Sequence, residues 1–144
     1  MMKRIGGVVA LVAVWGSLAL AAEKRVIRPA GATPSKNWSH GILVDGTLYV
    51  SGMGGEDKEG KIPATFEAET KQALENIGAV LKEAGMSPAD VVSVQVYLTD
   101  GATFDRMNAV YTSFFPDPRP TRTTVVVAKL VGPGHVEITA TAKK

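Results

Sequence analysis

Two charged side chains stand where the C-terminal part of the chain is otherwise built of Val, Ile and Thr. Arg122 opens the run Arg122-Thr123-Thr124-Val125-Val126-Val127, and Glu137 sits between Val136 and Ile138. A guanidinium at the end of a strand presents a planar fork that matches a carboxylate through two parallel hydrogen bonds. A carboxylate inside a half-buried strand loses part of its hydration, which raises its pKa toward the range useful for moving protons. Together they describe a site for a small carboxylate-bearing molecule with an acid–base group beside it. A plainer account is also open: the two charges pair with each other, or face solvent at a sheet edge. Composition alone favours the plainer account.

The other polar groups offer less. His40 and His135 are the only histidines and lack metal-ligand spacing, so surface roles suit them better. There is no cysteine, which removes disulfides, thiolate nucleophiles and Cys-ligated metals. Ser51 lacks the glycine framing of a nucleophile elbow. Gly52-Met53-Gly54-Gly55 reads as a turn rather than a phosphate loop. The run Glu56-Asp57-Lys58-Glu59-Gly60-Lys61 has no calcium-loop spacing and reads as a solvated surface.

The elements that must position these residues follow from periodicity. Trp38–Val44 and Thr47–Ser51 are short apolar runs joined by Asp45-Gly46, a hairpin signal in which glycine supplies positive φ. Gly52–Pro63 reads as a loop. Phe66–Ala84 is an amphipathic helix: Phe66, Ala73, Leu74, Ile77, Val80 and Leu81 form one stripe, with Glu67, Glu69, Lys71, Glu75 and Lys82 on the other faces. Thr65 can cap its start, and Gly85 with Pro88 ends it. Val91–Leu98 alternates as a strand, Thr103–Phe115 forms a second helix stopped by Pro116, and Arg122–Leu130 and Val136–Ala142 are strands. With a weak first strand in Glu23–Lys36, the order is β-β-β-α-β-α-β-β, an α+β domain. Two helices can cover one face of a sheet. Both registers of the last strands contain apolar residues, so the other face calls for a partner copy.

Residues 1–21 differ from the rest. Lys3 and Arg4 precede a run without charge from Ile5 to Ala22, ending in Ala19-Leu20-Ala21. That pattern is expected to be a secretory signal peptide, which gives a mature domain of residues 22–144 in the periplasm or outside the cell; an uncleaved membrane anchor is the alternative, though the run is short for spanning a bilayer. The chain has 16 Lys+Arg and 14 Asp+Glu; without Lys3 and Arg4 each sign counts 14. A neutral mature surface argues against nucleic-acid binding, which depends on several cation–phosphate contacts. No stable membrane association is expected after cleavage.

The segment from Pro120 to Ile138 resembles the signature of the RidA/YjgF family of imine/enamine deaminases. The likeness extends from Trp38 to the end through Ser51-Gly52, the Phe66–Ala84 helix closed by Gly85, and Phe104…Asn108…Tyr111…Phe114-Phe115. It implies a chorismate-mutase-like mixed sheet with two helices on one face, a homotrimeric barrel, and active sites in the clefts between subunits. It implies hydrolysis of 2-iminobutanoate- or 2-iminopropanoate-type substrates to 2-keto acids and ammonia, without metal or cofactor. Arg122 would bind the substrate carboxylate and Glu137 would position water, with Ser51, Asn108, Trp38 and Thr124 lining the cleft. Trp38 stands where typical members have tyrosine, and Thr124 where many have cysteine. Thr123 also departs from the usual small or apolar choice. A non-catalytic carboxylate-binding trimer, or the endoribonuclease activity ascribed to some relatives, are the alternative functions.

Geometry restricts how Arg122 and Glu137 can meet. As partners in a simple hairpin turning at Pro133 they would lie about seven residues, some 23 Å, apart along the strand. They can share a site only if these strands are not hairpin partners, or if different subunits contribute them; the topology that the resemblance implies, with the last strand inserted in the sheet centre and clefts between subunits, offers both routes.

Overall fold

Asp45 and Gly46 both take positive φ, 48° and 69°, and so build the tight turn expected of them. In the computed structural model, which describes residues 22–144, this turn joins β2 (Gly41–Val44) to β3 (Thr47–Gly54). A short β1 (Arg25–Ile27) precedes them; α1 (Phe66–Glu83), β4 (Val91–Leu98), α2 (Phe104–Phe114), β5 (Thr121–Val126) and β6 (Val136–Lys143) follow. The element order is the one read from periodicity. The expected signal peptide, residues 1–21, lies outside the described residues.

The six strands form one sheet in the order β1-β2-β3-β6-β4-β5. The last strand is thus inserted at the centre, antiparallel to both β3 and β4, while β5 runs parallel to β4 after the α2 crossover. The last two strands are not hairpin partners.

Both helices pack on one face. Val94, Val96 and Leu98 of β4 and Ile138, Ala140 and Ala142 of β6 are buried there against Leu74, Ile77 and Leu81 of α1 and Met107 of α2. Each large aliphatic side chain buried this way contributes on the order of 1.5–3 kcal/mol. The opposite face differs from the expectation of apolar residues on both registers. It presents Ser93, Gln95, Tyr97, Thr139 and Thr141, with Glu137 at one end, and Thr139 donates a hydrogen bond to the Gln95 side chain. Val26, Tyr49 and Val125 are large apolar groups of this face that are strongly exposed, at 62%, 54% and 41%. This open face is amphipathic, built of hydroxyls and an amide around a few apolar groups.

Element ends shift for identifiable reasons. β3 runs past Ser51 because of a bulge: Val50 pairs with Ala140 and Met53 with Ile138, so Ser51 and Gly52 together oppose one residue. β5 begins at Thr121 and stops at Val126 rather than Leu130. Its partner β4 ends at Leu98, whose carbonyl accepts the last bond, from Val127 N–H at 2.8 Å. Thr103 belongs to a 3-10 turn, capped by Asp100, that leads into α2. Thr65 caps α1 by accepting from Ala68 N–H at 3.3 Å. Ala84 is the closing cap of α1 rather than its last turn, and Gly85, at φ 71°, turns the chain away.

Candidate functional site

The bulge in β3 sets the surroundings of Glu137. The extra residue turns Gly52 toward the open face, where it lies under the Glu137 carboxylate; a Cβ at Gly52 would collide with that group. Glu137 pairs with Gly54 on one side and Tyr97 on the other and is half-buried, as expected. It lines an open cleft of about 460 Å³ together with Trp38, Glu56, Asn76 and the Leu130–Gly134 segment.

Trp38 reaches this cleft from the loop before β2, half-exposed, with its ring centroid 4.7 Å from that of His40. Burial, with Arg28 nearby adding to it, holds the His40 imidazole below its ordinary pKa. Ser51 fastens the loop: its hydroxyl donates to the Ser39 carbonyl at 2.6 Å and its N–H to the His40 carbonyl at 3.0 Å. Ser51 therefore positions Trp38, and its proton is engaged within the chain.

Arg122 is elsewhere. It pairs with Val94, a core residue, whereas Glu137 pairs with Tyr97, three residues further along the same strand. Side chains alternate along a strand, so an offset of three puts Arg122 on the helix-covered face and Glu137 on the open one. This register excludes a salt bridge between them within the chain, one of the two plainer accounts; the other, a place at a sheet edge, fits Arg122, because β5 is an edge strand. The guanidinium stacks 4.6 Å from the Tyr111 ring and 5.6 Å from the Phe104 ring. Asn108 lies on the same stripe of α2, four residues after Phe104 and three before Tyr111. Thr124, two residues after Arg122, shares its face.

This second half is short of partners. Among the described residues Arg122 has no ion-pair partner, and the buried hydroxyls of Tyr111 and Thr124 have no hydrogen-bond partner. Burial pushes the Tyr111 phenol up, opposed by the nearby charges of Arg122 and Arg119. The chain thus holds the candidate residues in two groups on opposite faces of the sheet: Trp38, Ser51 and Glu137 in one, and Asn108, Arg122 and Thr124 in the other.

Some contributors escaped the sequence reading. Glu69, assigned to the solvated side of the first helix, is 1% exposed. Its carboxylate accepts from His135 N–H at 2.5 Å and Val136 N–H at 3.3 Å, and pairs with the His135 ring at 2.8 Å. It pins the chain two residues before Glu137. Asn76 donates to the carbonyls of Gly54 and Glu56, both at 3.0 Å, and fixes the cleft wall. Glu69 lies four residues after Thr65 and just off the apolar stripe, a position that borders the core. Among the described residues no three His, Asp or Glu side chains converge as a metal site.

The family described as endoribonuclease L-PSP matches residues 29–144. The chain belongs to this family, the RidA/YjgF family. A 2-iminobutanoate/2-iminopropanoate deaminase of Capra hircus is 39% identical over 122 residues, 83% of this chain and 89% of the relative. Among solved structures, RidA from the Antarctic bacterium Psychrobacter sp. PAMC 21119 superposes with TM-score 0.79 at 34% identity, covering 83% of this chain and 99% of that one. E. coli TdcF with bound serine superposes with TM-score 0.77 at 30% identity, covering 83% and 98%. The α+β fold with a single mixed sheet is that of these RidA/YjgF relatives.

Proposed function

We propose that the protein is a cofactor-free hydrolase of 2-imino acids and their enamine tautomers, of the 2-iminobutanoate and 2-iminopropanoate type, releasing 2-keto acids and ammonia. The observation that carries this reading is an Arg122 guanidinium with no carboxylate partner among the described residues, in a family whose relatives include named deaminases. Arg122 and Glu137 face opposite sides of one sheet, so a working site is completed by a second copy. A homotrimer supplies it, with the open sheet faces turned inward and Arg122 of one subunit facing the Glu137 cleft of the next.

In that site Arg122 holds the substrate carboxylate by two hydrogen bonds and fixes the C=N carbon beside the water. The imine reacts in its protonated form: Glu137 accepts a proton as the water oxygen bonds to that carbon, and the C=N electron pair moves to the iminium nitrogen. Glu137 returns the proton to the nitrogen of the carbinolamine. The hydroxyl oxygen then forms C=O as the C–N bond breaks and ammonia leaves, its proton passing to solvent. Asn108 and Thr124 line the anchoring side, and Trp38 and Ser51 the cleft side. Residues 1–21 act as a signal peptide in this reading, and an amino-acid-oxidising enzyme in the same compartment supplies the imine.

A second reading, a non-catalytic carboxylate-binding trimer, draws support from the solved relative with bound serine. The endoribonuclease reading is disfavoured by the neutral mature charge. The test is ammonia release from iminopropanoate generated in situ by an amino-acid oxidase. Acceleration over the spontaneous rate, lost in Arg122→Ala, is the expected result. Calorimetric binding of a 2-keto acid without acceleration would favour the binder instead.

A further inference from the structure

The charged run after β3 reads from sequence as surface, yet its first residue turns inward. Glu56 is half-buried and lines the same cleft as Glu137. Its carboxylate folds back over Gly54, where a Cβ would collide with it, and lies 3.6 Å from the position a Cβ would take on Gly132. Its backbone is held by Asn76, whose amide donates to the Glu56 carbonyl at 3.0 Å and is braced by Gln72 at 3.0 Å. Gly52 lies under Glu137 and Gly54 under Glu56. The two carboxylates therefore lie over glycines that are two residues apart on β3, about 7 Å along the strand.

The next acid of the loop is used differently. Asp57 accepts from the N–H groups of Glu59 and Lys61 at 3.0 and 2.8 Å and so closes the turn on itself. Glu56 takes no part in that turn. The four ion pairs among the described residues include neither Glu56 nor Glu137. Water hydrolysis of an imine needs one carboxylate beside the water. A second anion in the same cleft adds repulsion toward anionic substrates unless a cation meets it. The cleft also exposes the half-exposed indole of Trp38, whose face attracts a cation through its quadrupole. An unpaired carboxylate and an aromatic face in one cleft are complementary to a cationic group on a ligand.

We propose that Glu56, with Trp38, selects 2-imino acids whose side chain ends in a guanidinium or ammonium. This rests on the deaminase reading of the same cleft and names its substrate class. With the α-carboxylate on Arg122 and the imine carbon beside Glu137, a chain of about three or four methylenes carries its terminal cation to Glu56.

The test compares two imino acids made in situ by an amino-acid oxidase: that of arginine, with a guanidinium tail, and that of leucine, neutral and branched. The ratio of their kcat/KM values is measured for the wild-type protein and for Glu56→Gln. In parallel, calorimetry measures binding of the stable 2-keto acid of arginine to both. The expected result is a wild-type ratio above one that falls about tenfold in Glu56→Gln, with the keto acid binding about tenfold more weakly. A ratio unchanged by Glu56→Gln, with keto-acid affinity also unchanged, overturns the assignment and leaves the deaminase reading standing. If neither imine is hydrolysed faster than spontaneously, yet the keto acid binds and Glu56→Gln weakens it, the cation site holds and the deaminase reading fails. Trp38→Leu, which removes the quadrupole, is expected to lower the same ratio and affinity in the same direction.

Discussion

Arg122 rests on aromatic faces, and among the described residues no carboxylate pairs with its fork. Arg122→Lys keeps a positive charge and loses the planar fork, so kcat/KM for imine hydrolysis is expected to fall nearly as far as in Arg122→Ala. Loss of a charge-assisted contact lowers it by about tenfold to a hundredfold, read from steady-state ammonia release. Gly52 offers an independent probe of the other half-site. A methyl there must displace the Glu137 carboxylate, the movable end of a flexible side chain. Gly52→Ala is therefore expected to fold normally by circular dichroism and to lose about tenfold or more in turnover. Arg122 and Glu137 stood out in the sequence because each is a charge set among Val, Ile and Thr, but their candidacy as a site came from the family resemblance. Their separation on opposite faces was not legible, since strand order is invisible to local pattern. Glu56 and Glu69 were misread for a related reason: a charge among charges looks solvated until the chain folds back over it.

The elements themselves were largely legible. Asp45-Gly46, the Phe66–Ala84 periodicity and the alternating Val91–Leu98 each announce their structure locally, and element order followed. The β3 bulge and the insertion of β6 between β3 and β4 depend on pairing between distant segments, so no local pattern announces them; the central place of the last strand came only from the family resemblance. The entry of β6 into the sheet is governed by α1 through Glu69. Glu69→Ala leaves the His135 and Val136 N–H groups without their acceptor, and is expected to cost about 1–3 kcal/mol in urea unfolding. Glu69→Gln retains an oxygen acceptor and is expected to lose less. Hydrogen exchange at Val136 should report the same ranking, because the release is local to the start of β6.

At the scale of the molecule, one sheet face is covered by two helices and the other is open and amphipathic, carrying Tyr49, Tyr97 and Val125 among hydroxyls. The trimer proposed above covers it. Sedimentation equilibrium of the mature domain is expected to give three times the chain mass at micromolar concentration, and a stable monomer would remove the shared cleft from the mechanism. The opposed placement of Arg122 and Glu137 has a genetic counterpart. If the proposed trimer and mechanism hold, a chain lacking the anchor and a chain lacking the acid–base group are each expected to be inactive alone, with defects on different sides of the same subunit boundary. Refolded together from a one-to-one mixture, Arg122→Ala and Glu137→Gln chains are expected to complement. In a ring of head-to-tail contacts about one boundary in four then receives an intact Arg122 from one neighbour and an intact Glu137 from the other. Recovery of about a quarter of the wild-type rate, from two preparations that are silent when assayed separately, would make the pairing across chains visible without a structure of the assembly.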